Sequence, residues 1–123
     1  MDKKSKFKPE GFHTITPRIV VKDAKGLVEF LKTVFDASGD YVKSAPSQIK
    51  IGDSIVMITD AGVREVSNAF LYVYVSDADA VYQRAFDAGA STVEKPADTP
   101  YGDRRCMVID KWGNTWQIAT YKG

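Results

Sequence analysis

One cysteine and one histidine are all that the 123 residues hold, and the two scarcities remove whole classes of chemistry. A lone Cys106 leaves no intrachain disulfide framework and no cysteine-rich zinc site. A lone His13 limits imidazole-based metal binding and acid–base catalysis just as hard. Long hydrophobic runs are missing as well: none approaches the ~20 residues that cross a bilayer, and no apolar signal segment comes after the lysines near the start. A cytoplasmic setting without membrane contact is the expectation. Charge of one sign is not in excess either, with 17 basic groups against 16 acidic. Nucleic-acid binding draws on a concentrated basic patch that releases counterions, and the body of the chain shows none.

The one local excess is "MDKKSKFKPE", residues 1–10, with lysines at 3, 4, 6 and 8 and little to bury. It reads as a flexible basic arm, with a weak electrostatic contact to an acidic partner as its other use. Residues 11–123 are enough for one domain with a real core, and a hydrophobic content of 44% supports it.

Periodicity sorts that domain into elements. His13 to Val21 alternates and is rich in β-formers; Asp23 can cap a helix over the next segment, in which Leu27, Phe30, Leu31, Val34 and Phe35 recur at helical spacing. Residues 40–43, 47–51 and 54–59 read as short strands, with a hairpin turn at Gly52-Asp53. A polar linker covers 62–67. Then 69–75 reads as a strand, 77–88 as a helix, 91–94 as a strand, and 105–109 with 115–121 as a hairpin across "DKWGN". Each half is β-α-β-β-β.

The halves also keep register. Asp23-Ala24 falls 54 residues before Asp77-Ala78, and Phe35-Asp36-Ala37 falls 51 before Phe86-Asp87-Ala88. The shift of three is close to one helical turn, so the first helix is the longer. Neither half can bury its sheet alone. The predicted fold is therefore α+β: tandem βαβββ modules, about 13–60 and 69–121, forming a concave, partly open mixed sheet around a cavity with helices outside.

With "TPRIVVKDA", "IGDSIVMITD", "YVSDADAVYQRAFDAGA" and "YGDRRCMVIDKWGNTWQIAT" in this order, the chain resembles the vicinal-oxygen-chelate superfamily of glyoxalases, bleomycin-resistance proteins and extradiol dioxygenases. The resemblance runs from Gly11 to Lys122. Metal-dependent members place four His, Gln or Glu ligands on the cavity face, and the corresponding positions here are Thr16, Met57, Phe70 and Gln117. That set does not suit a hard or borderline divalent ion, so neither a metal nor another cofactor is expected. His13 cannot stand in, lying three residues from Thr16, on the opposite strand face and ~10 Å along. Cys106 has no second histidine to activate it and reads as inert packing. No catalytic residue is assigned.

If position 70 faces the cavity, strand alternation turns Tyr72 and Tyr74 the same way and leaves Leu71, Val73 and Val75 for the helix side. The same parity turns Thr16, Arg18 and Val20 inward. Three rings with one arginine opposite suit a flat, hydrophobic or aromatic small molecule carrying a carboxylate or another acceptor. A filled core of mutually packed rings gives the same stripe; an inward Arg18, costly to bury unpaired, favours the cavity. In "TPYGDRR", Tyr101 and Arg104 can reach a ligand, with an ion pair to Asp103 or Asp110 as the other use of Arg104. Trp112 is a candidate lid, while Asp110 and Asn114 read as turn formers.

The preferred function is a metal-independent small-molecule binder of the glyoxalase/bleomycin-resistance type, sequestering a flat hydrophobic drug or metabolite. Sequestering members of the family are usually homodimers with shared cavities, so the resemblance implies a homodimer. The alternative is a lyase, isomerase or dioxygenase, either using a metal through unconventional ligands or working without one through Tyr72, Tyr74, Arg18 or Arg104 as acid and electrostatic groups. A regulatory or interaction module is the weakest reading.

Overall fold

The computed structural model describes residues 7–123. Lys3, Lys4 and Lys6 of the expected basic arm lie outside the described residues, and Phe7 to Glu10 are exposed. Each half begins with a strand that feeds a helix. In the first, β1 (Arg18–Val21) leads into α1 (Ala24–Phe35), then β2 (Ser47–Ile51) and β3 (Ser54–Asp60). In the second, β4 (Phe70–Tyr74) leads into α2 (Ala78–Asp87), then β5 (Ser91–Asp98), β6 (Asp103–Ile109) and β7 (Thr115–Tyr121). The architecture is α+β, with two open mixed sheets ordered β1-β3-β2 and β4-β7-β6-β5. In both, the first strand runs parallel to the last.

The duplication extends to how the helices start. Asp23 accepts from the Gly26 amide and Asp77 from the Ala80 amide, both at 3.1 Å, which satisfies an orphan donor of each first turn. Each half adds a second, long-range acceptor: Asp60 takes the Ala24 amide at 3.0 Å and the Thr120 hydroxyl takes the Ala78 amide at 2.8 Å. Both helices are thereby fastened to the closing strand of their own half.

The helices pack on one face of each sheet and against each other. Ile19, Val21, Ile49, Ile51, Val56 and Ile58 from the first sheet and Cys106, Val108, Trp116 and Ile118 from the second join α1 and α2 in one apolar core. Phe35 meets Trp116 at 5.3 Å between ring centroids, and the Arg84 Nε donates to the Val34 carbonyl at 3.1 Å. Among the described residues no helix is long and apolar enough to cross a membrane.

Three local expectations change. Residues 40–43 form no strand; only Ser38 bridges to Lys50. Side chains hold that segment instead: the Tyr41 hydroxyl donates to Asp60 at 2.5 Å and the Val42 amide to the Ser47 hydroxyl at 2.7 Å. The first strand begins at Arg18 rather than His13, directly after Pro17, which has no N–H to give a ladder. Strand β5 runs on to Asp98, past Pro96, because it is an edge strand with register shifts that absorb the missing donor.

Candidate ligand-binding site

The sheet face opposite the helices is where the aromatic stripe emerges. Phe70, Tyr72 and Tyr74 are 68%, 37% and 60% exposed, whereas Leu71 and Val73 pack against the core. Alternation along β4 thus places the side chains as the sequence implies. Cross-strand register puts Gln117 beside Tyr72 and Met107 beside Gln117. The stripe is neither a filled core nor a closed cavity within one chain. It is an open face.

Its polar end is built around Asp103, which is 2% exposed. The Tyr72 and Tyr74 hydroxyls both donate to Asp103 Oδ2, at 2.5 and 2.9 Å. Tyr101 joins them: its hydroxyl oxygen lies 3.4 Å from that of Tyr72 and accepts from Arg105 Nη1 at 2.8 Å. Arg105 Nη2 donates to Glu94 at 2.7 Å. Desolvation and then the bond to Asp103 raise the Tyr72 pKa; for Tyr74 the bond to Asp103 comes first and desolvation second. Both phenols stay protonated near neutral pH.

Asp103 and Arg105 are the members that sequence reading misses. Starting β6 at residue 105 leaves Asp103 as a loop residue and Arg104 as the free arginine. The strand begins at Asp103, so residues 103, 105 and 107 share the tyrosine face and Arg104 turns to the helix side. There Arg104 grips Asp79 through Nε and Nη2, both at 3.0 Å, with Asp98 at 3.5 Å. It lies apart from the stripe, and its ion pairs are not with Asp103 or Asp110.

Trp112 is also elsewhere. Its ring packs edge-on against Phe30 of α1 at 5.7 Å, and its Nε1 donates to Asp23 at 3.4 Å. The turn that carries it is held by buried Asp110, which accepts from the Trp112 and Asn114 amides and from the Trp116 indole, at 2.9, 2.9 and 2.8 Å. His13 is exposed and lies 3.8 Å from Asp53.

Arg18 and Met57 are register partners in the first sheet, with Thr16 just before it. Arg18 is exposed and, among the described residues, has no ion-pair partner, so burial cost says nothing about it in the single chain. Between the halves runs a groove of about 620 Å³, lined among others by Pro17, Val56, Leu71, Val73, Val81 and Trp116.

Thr16, Met57, Phe70 and Gln117, to which the resemblance points as ligand positions, carry a hydroxyl, a thioether, a phenyl ring and an amide, with Met57 in the first sheet and Phe70 and Gln117 in the second. With neither imidazole nor carboxylate, that donor set does not fit a divalent metal.

Comparison with known proteins agrees with this architecture. The model of the "Glyoxalase/Bleomycin resistance protein/Dioxygenase superfamily" matches residues 11–118. An uncharacterized protein of Mycobacterium bovis, Mb0911c, is 30% identical over 85% of this chain and 81% of its own length. Among solved structures, TioX from Micromonospora sp. ML1 superposes with a TM-score of 0.73 at 22% identity, over 89% of this chain and 98% of that one. The fosfomycin resistance protein FosX from Mesorhizobium loti does so with a TM-score of 0.67 at 23% identity, over 92% and 93%.

Proposed function

The chain belongs to the glyoxalase/bleomycin resistance protein/dioxygenase superfamily, and from that premise we propose that it binds a flat, hydrophobic or aromatic small molecule without a metal and without transforming it. The carrying observation is the row of Phe70, Tyr72 and Tyr74 on an open sheet face, its hydroxyls held in place by a buried carboxylate. Exposed rings in one patch mark a surface that something covers, and rings fixed beforehand lose little freedom when it arrives. The same bonds work against the enzyme reading, because both phenol protons are already given to Asp103 and neither is free for acid catalysis.

A second copy of the chain supplies the other wall. Its Thr16, Arg18 and Met57, brought over the stripe, would enclose the ligand and give a carboxylate its cation. FosX is named as a resistance protein, and drug or metabolite sequestration in the cytoplasm is the corresponding role here. Native mass spectrometry of the protein from its own host tests the reading. The expected result is an excess mass of a few hundred daltons, roughly that of a drug-sized ligand, lost on denaturation and lost from Phe70→Ala. One tightly held divalent ion per chain would overturn it.

A further inference from the structure

The direction of each hydrogen bond at the stripe says what chemistry its polar end accepts. A phenol has one proton to give. Those of Tyr72 and Tyr74 are both directed to Asp103 Oδ2, which leaves lone pairs, not protons, on the outward side of the two oxygens. Because the Tyr72 proton is committed, the 3.4 Å contact with Tyr101 can only use the proton of Tyr101. The bonds then run one way, from Arg105 through Tyr101 and Tyr72 to Asp103.

The cation of the cluster is also engaged. Two guanidinium nitrogens of Arg105 go to Tyr101 and Glu94, and its Nε is buried without a partner. Asp103 and Glu94 against Arg105 leave this end with one net negative charge. The tyrosine rings add their electron-rich faces. Lone pairs, net charge and ring faces have the same sign.

We infer that the part of the ligand seated at Asp103 is a hydrogen-bond donor with positive charge, a protonated amine or amidine on a flat ring system, and not a carboxylate. This deepens the binding reading and rests on it. A carboxylate, where the ligand has one, belongs at the Arg18 end.

Three probes of matched shape separate the outcomes: 2-(aminomethyl)naphthalene, 2-(hydroxymethyl)naphthalene and 2-naphthoate, titrated into the full chain with the tyrosine ring signals followed by NMR. The amine is expected to bind about 10-fold or more tightly than the carboxylate, as a cation–π contact beside a carboxylate implies, with the alcohol between them. Its binding should move the Tyr72 and Tyr74 signals, and Asp103→Asn should remove most of the preference. Glu94→Gln, at an exposed position, should narrow it even where the Asp103 variant does not fold. Naphthoate binding as tightly as the amine would overturn the inference and leave the binding reading standing. Amine binding that leaves both tyrosine signals unmoved would overturn it too. Failure of all three to bind would overturn both.

Discussion

The Tyr72 hydroxyl reaches from edge strand β4 across the whole of β7 to Oδ2 of Asp103 on β6, at 2.5 Å. A ring that stands half in solvent is thereby tied to a carboxylate that does not. Desolvation favours the neutral phenol, as does the bond, and Tyr74 shares the same acceptor.

Alkaline pH should expose this coupling. The folded-state pKa of both tyrosines is raised, so in the unfolded chain they ionise first, near the ordinary value of about 10. Their stabilising contribution is complete below that pH and falls as pH rises from there toward the folded values. In a phenolate absorbance titration of the native protein, three of the six tyrosines should ionise late: Tyr72 and Tyr74, and Tyr41, which is bonded in the same way to Asp60. Tyr72→Phe with Tyr74→Phe should cut the late phase to the single Tyr41 and lessen the alkaline loss of stability.

Ala119 is the residue that lets the tyrosines pass. It lies in register between Tyr74 and Arg105 on the open face, yet it is 0% exposed. The Tyr72 and Tyr74 side chains reaching toward Asp103, with Arg105 on the other side, account for that. Ala119→Leu should lift both rings and break their bonds, costing about 1–3 kcal/mol as overpacking does. Urea unfolding reads the cost, and a smaller late tyrosine phase shows that the site is disturbed.

Much of this arrangement is legible in the sequence. Asp23 and Asp77 mark the helix starts because a short carboxylate caps a first turn. The parity of β4 comes from alternation, and the family from the order of four segments. What escapes is whatever depends on a strand end. Starting β6 two residues late leaves residues 103 and 104 in a loop, where alternation assigns them no face, which hides that Asp103 shares the face of Arg105 and lets Arg104 be credited with the place of Arg105. Trp112 is misjudged for another reason: its partner Phe30 is distant in sequence, and a turn tryptophan looks alike whether it covers a mouth or a helix.

Asp110 should prove far more costly to lose than Arg104. Buried Asp110 holds the Trp116 indole and the Asn114 amide, and Asn114 in turn accepts from the Ala69 amide at 2.9 Å. Asp110→Ala strands several buried donors, at about 1–3 kcal/mol each, and should destabilise by about 3 kcal/mol or more. Arg104→Ala breaks a bidentate but partly exposed pair and should cost about 1 kcal/mol or less. Denaturant midpoints of the two variants provide the comparison.

Cys106 should be silent until the protein unfolds. Burial pushes its thiol up to about 11, and the side chain has no exposed surface. The thiolate is the reactive form. A chromogenic disulfide reagent at neutral pH should therefore react slowly with native protein and at once in denaturant. Rapid labelling of the native form would mean that β6 opens readily, and with it the strand that carries Asp103.

The proposed second copy can be tested at Phe70 separately from ligand binding. The ring is 68% exposed and shares its face with half-exposed Ile109, so in a homodimer that encloses the stripe a charge at this position would be buried against the partner. Burying an unpaired carboxylate costs far more than removing a ring. Phe70→Glu should hence shift sedimentation toward the monomer, while its thermal unfolding, governed by a core that lies on the opposite face, stays near that of the parent once concentration is allowed for. Arg18→Ala should do the reverse, leaving assembly intact and weakening only ligands that carry a carboxylate. If Phe70→Glu remains dimeric, the interface lies elsewhere and Arg18 of a second copy cannot face the rings. The stripe would then bind its ligand from one side alone, at correspondingly lower affinity.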